Sequence, residues 1–501
     1  MKKILLFGAG KSATVLIQYF LDNSEKENWH LRIVDSDLEM AKSKIGETSY
    51  AEAISFDINN SEERKKNIGE ADIVISMLPA SLHFLVAWDC VELNKNLLTA
   101  SYVDEQIKEL REEIEKKGLL FLCEMGLDPG IDHMSAMKMI DEIHLKGGRI
   151  TSFQSHCGGL VAPESDDNPW RYKISWNPRS VVLAGKSGAH FKEDGHEINV
   201  PYEELFVPER IIEIPEFEPL SWYPNRDSLT YASLYGLEDA DTFIRTTLRY
   251  PDFMYGWKNV IELKLTDETQ VYETNEKTLY HIFKEHMDKN GFGEWLEQKL
   301  HERFSQTKDM LTNLVKLMEA ENEAKEDDVE LPQEFMTVDE KGGLNEIELD
   351  KVKNMAAGIL AQKMHEANLT LKQLFFLGLD DDQTYINKGL CSAADILQFA
   401  IEKKLTLEAD DKDMIIMLHE IQYEIGDKKT GTRSLLVAIG ENNIRTAMAK
   451  TVGLPLGIAT KLILNGTIAL KGLHIPTKKE IYEPVLKELE IHGIKFNDLD
   501  E

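Results

Sequence analysis

The chain has 501 residues, with 57 Lys and Arg against 88 Asp and Glu, a formal charge of −31. That length exceeds a single core and predicts two to three domains of ordinary globular composition. The acidic balance excludes a general nucleic-acid binder, which needs a basic face, so no nucleic-acid partner is expected. Four cysteines, Cys90, Cys123, Cys157 and Cys391, are widely spaced, without a CxxC or a metal-ligand cluster. They predict free thiols in a reducing compartment. The apolar run 4–8 is too short for a signal peptide or a membrane span, so a cytoplasmic location without membrane association is expected.

Residues 4–7 read as a strand, followed by GAGKSA at 8–13 and a helix with apolar Val15, Leu16, Tyr19 and Phe20. This is GxGxxA in strand–turn–helix context. Gly8 permits the tight turn, Gly10 lets backbone approach a pyrophosphate, and Ala13 lets the helix pack on the strand. Lys11 and Ser12 complete the cofactor loop. A second strand, 31–34, ends in Asp35-Ser36-Asp37, where a carboxylate receives ribose hydroxyls and repels a 2′-phosphate. No arginine stands at that strand end, so NAD is preferred, with NADP possible.

A third strand is expected at 54–57. A fourth, 73–79, ends in a turn whose backbone can lie along the cofactor. A fifth, 97–102, delivers Ser101 and Tyr102 to the same carboxyl edge, with Ala100 before them counted among the cofactor residues. A sixth, 119–123, feeds GLDPGIDH at 126–133 and then a helix. This alternation predicts an α/β fold, a doubly wound parallel sheet with ligands at its carboxyl edge. Asp128 sits in that last turn, either as a site carboxylate or only as a helix cap.

From about residue 150 strand-and-loop segments follow: 150–156, CGGLVAPE at 157–164, NPWRYKISW at 168–176, YPNRDS at 223–228 and IRTTLRY at 244–250. They predict a separate mixed-sheet α+β substrate domain, whose arginines suit fork-like binding of carboxylates. Residues 276–376 read as a helical subdomain, with an apolar face at 311–317, an acidic run at 319–328 and an insert near 320–345. Strands return at 413–420 and 433–439. A helix interrupted at Gly453-Leu454-Pro455, a loop at 472–476 and a closing helix at 481–489 complete the chain.

Together GAGKSA, DIVISMLP, TASY, GLDPGIDH, CGGLVAPE, NPWRYKISW, YPNRDS, TLRY, AMAKTVGLP and EIYEPVL resemble the glutamate-forming saccharopine dehydrogenase family. The resemblance covers 1–255 and 410–501 well and the middle loosely. It implies a Rossmann domain, 1–133, completed by part of 425–501. A substrate and dimerisation domain, 134–275 with part of 376–424, and the helical subdomain 276–376 would complete a homodimeric enzyme.

The activity implied is oxidation of saccharopine to glutamate and 2-aminoadipate 6-semialdehyde, or the reverse, in lysine metabolism. By resemblance Ala13, Asp37 and Leu78 touch the cofactor. Ser101, Tyr102, Asp128, Cys157, Arg226, Thr247, Leu248 and Arg249 line the saccharopine pocket. Asp128 is the first candidate for proton handling at the reacting nitrogen, Tyr102 the second and Cys157 the third. Fungal members use NADP and animal bifunctional members NAD, and Asp35 and Asp37 group this chain with the NAD users. Two alternatives stay open: a carboxyspermidine dehydrogenase-like C–N oxidoreductase, and an NAD-binding regulatory protein without catalysis.

Overall fold

The structure is a computed structural model that describes residues 1–295, 297–299, 365–366 and 368–499. It adds the backbone of strands Glu334–Val338 and Leu344–Glu348. Contacts divide the chain into two compact units, Met1–Met254 with Leu405–Glu501, and Tyr255–Lys404.

Seven parallel strands form one sheet in the first unit. In spatial order they are Gly472–His474, Leu120–Leu122, Asn96–Thr99, Ile73–Ser76, Lys2–Phe7, Trp29–Val34 and Ala51–Ile54. The order reverses between Lys2–Phe7 and Ile73–Ser76, the switch point at which open α/β sheets bind ligands. Near-continuous apolar runs such as Ile4-Leu5-Leu6-Phe7, each at most 1% exposed, suit strands covered on both faces. Gly8 follows at φ +97°, where a Cβ would lie 2.7 Å from the Met77 carbonyl oxygen, so only glycine fits this turn.

A second, mixed sheet belongs to the same unit. Its order is Ile211–Ile212, Leu220–Pro224, Thr242–Arg249, Arg149–Val161, Asp413–Ile425, Lys428–Ile439 and Phe496–Leu499. Only Thr242–Arg249 and Arg149–Val161 pair in parallel along this path. One face buries Phe153 and Phe243, stacked at 5.1 Å. The other buries Leu160, Leu248, Ile416 and Leu418.

Several local expectations are corrected. The third strand is Ala51–Ile54 and lies earlier than 54–57, because Asp57 instead organises a turn, accepting from the Asn59 N–H at 2.9 Å. The segment 472–476, expected as a loop, supplies the edge strand Gly472–His474 of the parallel sheet. The helix Ala447–Leu464 runs unbroken through Pro455. Its glycines serve packing: a Cβ on Gly453 would lie 2.8 Å from Leu16 N, and one on Gly457 2.6 Å from the Tyr19 ring. Among the described residues this helix alone is long and apolar enough to cross a membrane, and 67% of it is buried inside the protein.

In the second unit Gln270–Glu273 pairs with Leu390–Ser392, and Leu279–Lys289 and Ala393–Lys404 are helices. The stretch expected to be helical also holds an antiparallel pair, Glu334–Val338 with Leu344–Glu348. The apolar face 311–317 and the acidic run 319–328 lie outside the described residues, as does most of the insert near 320–345.

Asp413, fully buried on the mixed sheet, fastens the helix Ala447–Leu464. Its two oxygens accept from Ala447 N at 2.6 Å and Met448 N at 2.9 Å. A carboxylate at a helix N-terminus answers both orphan donors and the helix dipole. Asp413→Ala should lower stability by about 1–3 kcal/mol. The check is a lower urea midpoint at unchanged slope; an unmoved midpoint would show that the cap contributes nothing.

Candidate active site

The cofactor edge is built from strand ends. After Gly8 the chain passes Gly10, where an added Cβ would meet nothing within 4 Å, and enters the short helix Lys11–Ala13 and then Thr14–Glu27. Lys11 is exposed, Ser12 half-buried and Ala13 buried against the sheet. Asp35 does more than wait for a ribose. Its carboxylate accepts from Ala9 N at 2.6 Å and from Asp37 N at 2.9 Å, fixing the glycine turn to the second strand. Asp37 caps the helix Leu38–Ile45 through Met40 N at 2.9 Å.

Lys44 was not singled out in the sequence. Its ammonium donates to the Gly10 carbonyl at 2.6 Å and to Thr14 Oγ1 at 2.9 Å, and burial pulls its pKa down to about 8. Arg32 lies within the second strand and is taken by Glu52 and Glu70, each at 2.7 Å. Leu78 and Ala100 stand half-buried at the neighbouring strand ends. An open glycine turn, a small packing residue and acids at the next strand end fit a dinucleotide.

Asp128 leaves the helix cap to others. The helix Ile131–Leu145 begins after Gly130, whose N–H donates to Asp132 Oδ1 at 2.6 Å. Asp128 instead accepts from Arg245 Nη2 at 2.6 Å, and the same nitrogen donates to Asp132 Oδ2 at 2.6 Å. Burial pushes the Asp128 carboxyl up to about 6; Arg245 opposes the shift and Asp132 adds to it. Asp132 moves the other way, held low by His133, Arg245 and the Gly130 N–H against its burial.

Behind them His133 Nε2 meets Glu124 at 2.8 Å, its Nδ1 meets the Tyr235 hydroxyl, and Tyr231 donates to Glu124 at 3.2 Å. Glu124 Oε1 also accepts from Val103 N at 3.1 Å, just beyond Tyr102. This buried network holds the turn and the Ser101-Tyr102 segment together.

The arginines come from the mixed sheet. YPNRDS is tied to the strand Thr242–Arg249: Asn225 N donates to the Arg245 carbonyl at 2.8 Å, and Arg245 N to Ser228 Oγ at 3.0 Å. Arg226, at φ 56°, projects an exposed guanidinium that stacks 5.0 Å from the Tyr102 ring. Among the described residues no carboxylate lies within ion-pair distance of it, although its charge acts on Asp128.

Arg249 is only 4% exposed and likewise lacks an acid among the described residues. It donates to the Leu248 carbonyl at 2.8 Å, sits over Tyr172 and Phe253, and leaves its Nε–H without an acceptor. A buried, uncompensated guanidinium is costly unless an anion completes it.

Two expected site residues are corrected. Leu248 alternates away from Arg245, Thr247 and Arg249 and buries its side chain in the opposite face of the sheet. Cys157 lies beside Thr247 in register, but burial and the nearby Asp128 hold its thiol pKa well above the ordinary value. It stays protonated and packs. Tyr102 is also raised by burial and by Asp128, so its hydroxyl rests protonated.

The sequence groups Arg245 with the other arginines as a carboxylate binder, and the carboxylates it binds are Asp128 and Asp132; the contacts of Glu124 and His83 escape it. Arg245 had a signal: it shares the strand face of Thr247 and Arg249 at i, i+2, i+4. Glu124 and His83 had none, since only the fold brings them to Tyr231 and Ser101.

These features define a dinucleotide-binding oxidoreductase of the Rossmann class. Residues 4–122 match the family model described as the saccharopine dehydrogenase NADP binding domain, and 126–494 the saccharopine dehydrogenase C-terminal domain. A Saccharomyces cerevisiae relative, the NADP(+), L-glutamate-forming saccharopine dehydrogenase, is 31% identical over 98% of this chain and 97% of its own length.

An Arabidopsis thaliana alpha-aminoadipic semialdehyde synthase is 34% identical over 96% of this chain, which spans only 41% of that longer protein. The apo structure of saccharopine dehydrogenase (L-Glu forming) from S. cerevisiae superposes with a TM-score of 0.76 at 28% identity, covering both chains fully. The chain belongs to the saccharopine dehydrogenase family, and its cofactor is a nicotinamide dinucleotide.

Because all four cysteines are free and buried, a thiol reagent such as Ellman's should label the native protein slowly and the denatured protein at four sites. Fast labelling of Cys157 in the native state would restore it as a reactive group.

Proposed function

We propose that the protein catalyses the reversible reaction of saccharopine, NAD(P)+ and water to L-glutamate, 2-aminoadipate 6-semialdehyde, NAD(P)H and a proton. The observation that carries this reading is the pair of guanidinium groups without an ion pair among the described residues, Arg226 and Arg249, in the same unit as a carboxyl of raised pKa, Asp128. Saccharopine matches that arrangement, with three carboxylates flanking a secondary amine. A carboxyspermidine-like substrate, with one carboxylate and a cationic tail, suits it less.

The bound nicotinamide supplies the hydride acceptor. Asp128, ionised above about pH 6, takes the proton that must leave the secondary nitrogen before its neighbouring carbon can lose hydride. Water then adds to the resulting carbon–nitrogen double bond. Breaking the C–N bond of that adduct returns a proton to the departing glutamate nitrogen, again within reach of Asp128. Arg226 and Arg249 fix the carboxylates, with Thr247 on the same strand face, so the reacting carbon is oriented and not merely captured. Tyr102 donates a hydrogen bond from its protonated hydroxyl. Arg245 keeps Asp128 in place and accompanied.

NAD is the proposed partner, although the fungal relatives are named for NADP(+). Asp35 and Asp37 put two carboxylates at the end of the second strand, where they disfavour a 2′-phosphate, and the strand arginine Arg32 is engaged elsewhere. The free, buried thiols support a reducing compartment.

The first test is absorbance at 340 nm with saccharopine and either cofactor. NAD should be favoured at least tenfold in kcat/KM; preference for NADP would overturn the role given to Asp35 and Asp37. Asp128→Asn should cost about 10²–10⁴ in kcat. In the wild type kcat/KM for saccharopine oxidation should fall about tenfold per pH unit below about 6, as the carboxylate is protonated. Asp128→Asn should lose that limb, and a variant retaining it would assign the proton to another group.

A further inference from the structure

At the end of strand Ile73–Ser76, the Ser76 hydroxyl lies 2.7 Å from His83 Nδ1. On the other side of the ring, His83 Nε2 lies 2.7 Å from Ser101 Oγ. Ser76 is fully buried and His83 is 2% exposed, while Ser101 is half-buried at the edge of the proposed pocket. Burial pushes the imidazole down to about 4, with Asp104 opposing, so the ring is neutral in the working range. A neutral imidazole donates at one nitrogen and accepts at the other.

The chain of three groups therefore has two directions. In one, Ser76 donates to Nδ1 and the Nε2–H donates to Ser101, whose own O–H then points outward as a donor. In the other, Nδ1–H donates to Ser76, Ser101 donates to Nε2, and Ser101 offers only lone pairs to a ligand. A pocket furnished with Arg226 and Arg249 draws carboxylates, and a carboxylate selects the first direction.

We propose that His83 is a positioning residue for the substrate: held by Ser76, it donates through Nε2–H to Ser101 and keeps that hydroxyl a donor to a substrate carboxylate. The inference rests on the reading of Ser101 as a substrate residue. It adds a group that touches neither substrate nor cofactor. Ser101 itself is held in place by its backbone, donating to Thr99 Oγ1 at 3.2 Å and accepting from Glu124 N at 3.1 Å. What His83 supplies is direction rather than location.

The experiment compares four variants by steady-state kinetics and thermal midpoint in the full chain. His83→Leu should raise the KM for saccharopine about 3- to 10-fold, and Ser76→Ala somewhat less, with cofactor KM unchanged. His83→Gln places an amide N–H near the position of Nε2 and should restore KM to within about threefold of wild type. Equal defects in His83→Leu and His83→Gln, or a defect confined to cofactor KM, would overturn the proposal. So would a loss of rate that only follows a fall in thermal midpoint. Ser101→Ala separates the two readings. An unchanged saccharopine KM there would sink the placing of Ser101 in the pocket. A raised KM in Ser101→Ala beside a normal His83→Leu would sink only the role of His83.

Discussion

Arg245 holds two carboxylates on one nitrogen, Asp128 and Asp132, each at 2.6 Å, and the remainder of the site is arranged around that contact. Asp128 belongs to the turn that leaves the parallel sheet and Asp132 to the first turn of the helix that follows, the arginine to a strand of the mixed sheet. The same ion cluster therefore joins the dinucleotide sheet to the substrate sheet within one compact unit. Two buried carboxylates side by side repel each other and resist desolvation. A guanidinium shared between them lets both persist, and removing such a partner typically costs about 3–5 kcal/mol. Tyr231, 4.4 Å beneath the guanidinium, and Ser228, accepting from the Arg245 amide, leave it little freedom.

The sharing also differentiates the two acids. Asp132 gains the Gly130 N–H and the neighbouring His133 and stays low; Asp128 keeps fewer partners, and burial raises it toward neutrality. One carboxylate is thereby committed to holding the turn, and the other is poised to exchange protons. Nearby, Tyr102 and Cys157 are raised in the same surroundings, and for them the result is opposite in use. Their neutral forms are the ground state, so each remains protonated beside the ionisable Asp128.

How much of this was legible in the sequence depended on the range of the interactions. The glycine turn, the strand ends and Asp128 are local patterns: a few contiguous residues fix the geometry, and the pattern reads directly. Gly472–His474 was missed because three residues carry no periodicity, and only their place beside Leu120–Leu122 makes them a strand. The unbroken passage through Pro455 was hidden for a related reason. Gly453 and Gly457 look like breakers until the helix Thr14–Glu27 is seen packed against them. Arg245 makes its contacts across 113 and 117 residues, beyond any motif window, whereas Leu248 was selected by motif membership although strand alternation turns it away.

The edge strand Gly472–His474 carries a consequence for how the protein is made. It pairs with Leu120–Leu122, some 350 residues earlier, and the helix Ala447–Leu464 covers the first helix of the glycine turn. Synthesis runs from N- to C-terminus, so the six strands within residues 2–122 precede Gly472–His474, and the edge at Leu120–Leu122 stays open until that later strand is made. For that interval the nascent sheet exposes an unpaired strand and an apolar helix face, the surfaces on which chaperones act and through which chains aggregate. The dinucleotide sheet thus opens before the mixed sheet and closes only after the mixed sheet's strands through Lys428–Ile439 have been made, so neither sheet is finished before the other is well advanced.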